Sequence, residues 1–317
     1  MPSSSKRSTA SIETPFEAGD MKPLAWNGAR LRVPANWDPV RLGKNYLLLE
    51  DAQGPVMELK WTPSPKRLTP AAALKRLTRE SGIDVTPLTA GEVRPAWERA
   101  RPGSGLCAFS WNGAGVSGLG AAFACETCGG LSVMQFFHTD RERNRPGEKT
   151  WDAVLASYRD HPEKESRRFE IYDITANVPL EYALGPFSFK AGRFELEFAG
   201  KGETLVYERF APAETLLRGQ SLDEWIRQVY SLGKGGLIER LELDNNPTAL
   251  FVVGGIKSPA AYAATRLLTM LSRQKSFVRG LVRHFPEKNR LLCLTARGLK
   301  PMDMKKLLAL GKNYGTL

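Results

Sequence analysis

Two stretches of this chain run through the same order of residue patterns, and that repetition limits the possible folds more than any other feature. One begins at Ala29, "ARLRVPANWDPVRLGKNYLLLEDAQGPVMELKW". The other begins at Asp173, "DITANVPLEYALGPFSFKAGRFELEFAGKGETLVYERF". Each opens with a short extended piece closed by Val-Pro, at Val33-Pro34 and at Val178-Pro179. Each continues with apolar residues in alternation, around Tyr46 and Leu48 or around Phe187 and Phe189. A turn follows, and then a second alternating segment, "VMELKW" or "TLVYERF". A proline-bearing connection then leads to an amphipathic helix in both. Alternation with period two marks strands, and apolar spacing of three and four marks helices.

The correspondence extends further. "LCAFSWNG" matches "ALFVVGG", and "GAAFACETCGGLSVMQFF" matches "SFVRGLVRHFPEKNRLLCLTA" as two strands around a tight turn. "EKTWDAVLASYRDH" and "LKPMDMKKLLALGKNYG" supply a closing helix to each half. A repeat of about 145 residues is the length of a duplicated domain, not of a solenoid unit. The sequence therefore predicts an α+β chain of two tandem similar domains, each an antiparallel sheet with helices packed on its faces. The expected boundaries are a disordered tail over 1–20, a first domain over 21–161, a linker over 162–168 and a second domain over 169–317. One asymmetry stands out. The second half carries "SPAAYAATRLLTMLSRQ", which predicts an inserted helix near 258–272. The first half has "NGAGVSGLG" at that place, which predicts a mobile hairpin loop.

The order of elements resembles the PsbP-like fold family, which includes the extrinsic photosystem subunit, a Ran-binding nuclear import factor and bacterial DcrB-type proteins. "LRVPANW" resembles that family's opening strand and turn, and "NRLLCLTARGLKPMDMKKLLALGKNYG" its closing strand, loop and helix. The second half departs at its opening, where Tyr182 stands near the expected tryptophan. The resemblance spans 24–161 and 169–315. It implies a non-catalytic binding or scaffold domain, because the family shares no active site.

Charge is unevenly spread. The chain has 45 Lys and Arg against 34 Asp and Glu, a formal net charge of +11. Most of the excess lies between Arg273 and Lys312, where only Glu287 and Asp303 oppose the basic residues. An anionic partner is expected to meet that segment, through Arg273, Lys275, Arg279, Arg283, Lys300, Lys305 and Lys306. Nucleic acid is one such partner. A plain solvated basic surface is the competing reading.

Four cysteines do not make a disulfide framework. Two of them, Cys125 and Cys128, form a C-x-x-C followed by Gly129 and Gly130, at a turn whose counterpart "HFPEKN" has no cysteine. Three readings stand: a plain turn, half of a zinc site completed by a second chain, or a redox pair. Zinc in a closed site takes four ligands, and neither a second C-x-x-C nor an H-x₃-H is present to complete one. No nucleophile, phosphate-loop or metalloprotease motif occurs, and His138, His161 and His284 are isolated from one another in the sequence.

The first twenty residues lack the apolar segment of a secretory signal, and no window approaches the length of a membrane span. Met21 is as good a start as Met1. The expected function is a non-catalytic, cytoplasmic protein that binds another protein or a second copy of itself. The alternative is a nucleic-acid-associated protein acting through the basic segment 273–312. No cofactor is expected beyond zinc at an intersubunit C-x-x-C site.

Overall fold

The computed structural model describes residues 20–62, 69–138, 148–161, 165–233, 236–253, 267 and 277–317. The expected inserted helix near 258–272 lies outside these residues, apart from position 267, and so does nearly all of the expected tail.

A hairpin opens the chain, β1 (Met21–Trp26) and β2 (Ala29–Pro34). A meander follows, β3 (Asp38–Gly43), β4 (Tyr46–Asp51) and β5 (Gly54–Thr62). Then come α1 (Pro70–Ser81), β6 (Asp84–Pro87), α2 (Pro95–Ala100), β7 (Cys107–Gly113), β8 (Val116–Ala124), β9 (Leu131–His138) and α3 (Glu148–Ser157). The second half opens with another hairpin, β10 (Ser166–Ile171) and β11 (Ile174–Pro179). Its meander is β12 (Ala183–Lys190), β13 (Arg193–Ala199) and β14 (Glu203–Phe210). The short α4 (Ala213–Leu216) and α5 (Leu222–Val229) follow. The chain closes with β15 (Leu237–Leu243), β16 (Asn246–Val253), β17 (Phe277–Phe285), β18 (Arg290–Gly298), α6 (Met304–Lys312) and β19 (Tyr314–Thr316).

These strands build three antiparallel sheets. Two are seven-stranded, in the orders β3-β4-β5-β9-β8-β7-β6 and β12-β13-β14-β18-β17-β16-β15. Both place a three-strand meander beside a second meander that runs back from its last strand. The third sheet is five-stranded, β19-β11-β10-β1-β2, and takes strands from both ends of the chain.

The expected α+β architecture of two tandem domains with helices on the sheet faces is overturned by this arrangement. The molecule is dominated by sheet. The two opening hairpins leave their own halves and pair with each other, with Ala25 opposite Glu170. The 162–168 linker is displaced as well, since Ser166 to Arg168 already belong to β10. The physical reason is that alternation specifies a strand and its buried face but not its neighbour, so a hairpin reads the same whether it extends its own sheet or founds a shared one. One continuous apolar core then runs through both halves, from Trp26, Trp37 and Trp97 to Leu294, Leu307 and Tyr314. Trp26 is fully buried. Its ring meets Phe169 at 5.6 Å and Phe187 at 5.0 Å, both from the second half.

The expected loop "NGAGVSGLG" is also corrected. Only Ala114 and Gly115 turn the chain, and Gly118 and Gly120 lie inside β8. A Cβ on Gly118 would strike the Phe136 carbonyl and the Trp111 indole, and one on Gly120 would strike the Phe109 ring. These glycines let aromatic side chains of β7 lie across the neighbouring strand.

Helices that the sequence does announce are capped as the residues dictate. Thr69 accepts from the Ala72 amide at 3.2 Å, Pro70 starts α1, and Gly82 ends it in the left-handed region. Ser221 and Glu224 form a reciprocal capping box on α5. Asp303 caps α6 through the Lys306 amide.

Candidate metal centre

The connection between β8 and β9 is a closed turn. The Cys125 amide donates to the Gly130 carbonyl at 2.7 Å, and the Gly129 amide donates to the Cys125 carbonyl at 2.9 Å. Gly129 takes φ +67°, a conformation that a side chain disfavours. A side chain at Gly130 would crowd the site, because a Cβ would sit 3.0 Å from both Cys128 Sγ and Asp160 Oδ2. Its amide instead donates to Cys128 Sγ at 3.3 Å. Both thiols are thus held on one side of the tip, each half-buried.

The second half of the site arrives from the end of α3. Tyr158 is buried, and its hydroxyl lies 2.9 Å from that of Ser132 on β9. The Arg101 guanidinium donates to the carbonyls of Leu155 and Tyr158, at 2.6 Å each, and lies over the Phe123 ring. Arg159 exchanges two backbone hydrogen bonds of 2.7 Å with Arg30 of β2. These anchors deliver the next two residues, Asp160 and His161, onto the cysteine turn. The result joins the first seven-stranded sheet to a segment already fastened to the five-stranded one.

One donor atom from each of Cys125, Cys128, Asp160 and His161 lies within 4.8 Å of all the others. Cys125 Sγ is 3.4 Å from His161 Nδ1, Cys128 Sγ is 3.7 Å from Asp160 Oδ2, and His161 Nδ1 is 3.0 Å from Asp160 Oδ1. Usual zinc bond lengths in tetrahedral geometry give edges of about 3.4 to 3.8 Å between such donors. The two sulfur separations fall inside that range, and the His161 separation, measured to the other Asp160 oxygen, is about 0.4 Å shorter. The Asp160 side chain is only 9% exposed and faces the Cys128 sulfur and the His161 ring. Burial, with the negative charges of Asp160 and Cys125, pushes the Cys128 thiol up to about 11, against the lowering influence of the Gly130 amide. A divalent cation held there would reverse that balance, with both sulfurs as thiolate ligands.

The sequence identified Cys125 and Cys128 and missed Asp160 and His161. In the sequence His161 stands isolated from the other histidines at the very end of the first half, and adjacent Asp-His belongs to no customary ligand spacing. The signal was the acid-histidine pair immediately after a helix in the same half as the C-x-x-C. The other two histidines remain apart. His138 packs against Trp151, and His284 lies in β17. Cys107 and Cys293 stand on β7 and β18.

The expected anionic-partner residues do not form one free face. Arg283 is buried and donates to the carbonyls of Gly311, Tyr314 and Leu243, and to Asp244. Arg279 donates to the Met302 carbonyl. Lys306 pairs with Glu203 at 3.1 Å and Glu181 at 3.4 Å, and lies over the Tyr182 ring. Lys300 and Lys305 are exposed. Arg273 and Lys275 lie outside the described residues. Among the described residues, no helix is long and apolar enough to cross a membrane.

No protein-family model matches the chain, and no curated protein matches it. A solved structure from Bacteroides thetaiotaomicron VPI-5482 is similar to it at 10% identity, over 70% of this chain and 82% of that one. The TM-score is 0.28, too low for that likeness to carry an argument.

Proposed function

We propose that this chain is a non-catalytic scaffold or binding protein whose joint is clasped by one divalent metal ion, zinc being the best fit. The single observation behind the reading is the convergence of Cys125, Cys128, Asp160 and His161 within 4.8 Å. Two sulfurs, an imidazole and a carboxylate suit zinc better than magnesium or calcium, which prefer oxygen alone. Four protein ligands from one chain leave no vacant position for a substrate, which favours a structural role over a catalytic one. They also remove the need for a second chain to complete the C-x-x-C site. The resemblance to PsbP-like proteins supports the same non-catalytic reading. The partner is another protein or a second copy of this chain. A cytoplasmic setting suits the reading, because reduced thiols are the form that binds metal.

Metal analysis of the full chain, purified without chelator, tests the proposal alongside its mass in solution. One zinc per chain is the expected result, with cobalt substitution producing thiolate-to-metal absorption. Half a zinc per chain in a dimer returns the site to the intersubunit form. A chain that takes up neither zinc nor cobalt overturns the proposal.

A further inference from the structure

We infer that the Cys125–Cys128 turn is a redox latch, in which a hydroperoxide oxidises the two metal-bound thiolates to a disulfide and expels the metal. The inference rests on the metal reading above and adds its regulation.

The four cysteines differ in what they can do. Cys293 is fully buried in β18. Cys107 stands on β7 with its sulfur turned to the Gly105 carbonyl at 3.5 Å. Cys125 and Cys128 alone share a turn, with their sulfurs within 4.8 Å and both partly open to solvent. The Gly129-to-Cys125 hydrogen bond closes that turn. Residues three apart in such a turn have Cα atoms within about 7 Å, which overlaps the span that a disulfide bridges. That span is compatible with closing the S–S bond by side-chain rotation within the turn.

The chemistry balances. One thiolate attacks a peroxide oxygen, so an S–O bond forms, the O–O bond breaks, and the leaving oxygen takes a proton to become water or an alcohol. The second thiolate attacks the resulting sulfenic sulfur. The S–S bond forms, the S–O bond breaks, and hydroxide leaves as water with a second proton. The two thiolates lose two electrons and the peroxide gains two. Only Asp160 and His161 then remain as ligands, adjacent on one segment and too few for a closed four-coordinate site. The ion departs. The Arg30–Arg159 bridge and the Ser132–Tyr158 contact stay, so the clasp opens locally while the sheets persist.

The test uses the zinc-loaded full chain, hydrogen peroxide and a chromogenic zinc chelator. The expected result is release of one zinc per chain with the loss of two thiols. Peptide mapping then finds a Cys125–Cys128 disulfide, and a dithiol reductant with added zinc restores the bound state. Cys107→Ser leaves the response unchanged. Zinc retained while peroxide oxidises other residues overturns the latch and leaves the metal reading standing. Zinc release with Cys125 and Cys128 still reduced, or oxidised to sulfinic acid without a disulfide, overturns it as well. A chain that binds no metal at all overturns both.

Discussion

At the residue scale the proposed metal centre depends on small spaces and on one proton. Gly130→Ala would place a methyl group 3.0 Å from Cys128 Sγ and from Asp160 Oδ2. Calorimetric titration with zinc is expected to show weaker binding, while far-ultraviolet circular dichroism stays unchanged. Asp160→Asn keeps the shape and removes the charge, and should lower zinc affinity on the scale of tens of fold. Proton linkage has a definite sign. Metal-free Cys128, pushed up to about 11, is protonated at neutral pH, so binding expels its proton. Apparent affinity should rise about tenfold per pH unit for each proton released. An affinity that is flat between pH 6 and 8 would exclude Cys128 as a ligand. The metal-free chain behaves in the opposite sense. A thiol raised by folding contributes stability below its unfolded value, and that contribution is lost as pH climbs through about 11.

At the scale of elements, strands are fitted to their neighbours by what they omit. Gly120 in β8 leaves room for the fully buried Phe109 ring. Gly120→Val is expected to destabilise by about 1–3 kcal/mol through overpacking, read as a lower urea midpoint. The capping box on α5 holds Trp225 and Ile226 against Phe210 and Phe251. Ser221→Ala should cost about 1 kcal/mol, because the Glu224 amide loses its acceptor. β13 shows the simplest rule, with Leu196 and Phe198 fully buried while Glu195 and Glu197 stand on the opposite face.

At the scale of the molecule, the shared sheet makes the halves interdependent. Trp26 comes from the first hairpin, donates to the Gly43 carbonyl at 2.6 Å, and packs among Phe169, Phe187 and Phe189 of the second half. Trp26→Ala should cost about 3–5 kcal/mol. Residues 167–317 expressed alone lack β1, β2 and that ring. They are expected to unfold without a sharp cooperative transition, as followed by near-ultraviolet circular dichroism. A fragment with its own sharp transition would restore two independent domains.

Much of the chain was determined locally. The alternation in "RFELEFA", the caps at Thr69, Ser221 and Asp303, and the turn at "CETCGG" follow from backbone preferences and short-range hydrogen bonds, which act within a few residues. The repeated element order was likewise visible, and both seven-stranded sheets follow one strand order. Tertiary structure alone decided what stands beside what. It paired Ala25 with Glu170 and so made a third sheet where two separate domains were expected. It turned Arg283 inward to backbone carbonyls. It carried Asp160 and His161 across 32 to 36 positions to the cysteines. Periodicity reports which face of a segment is buried, whereas a site is made by the particular segments that bury those faces together.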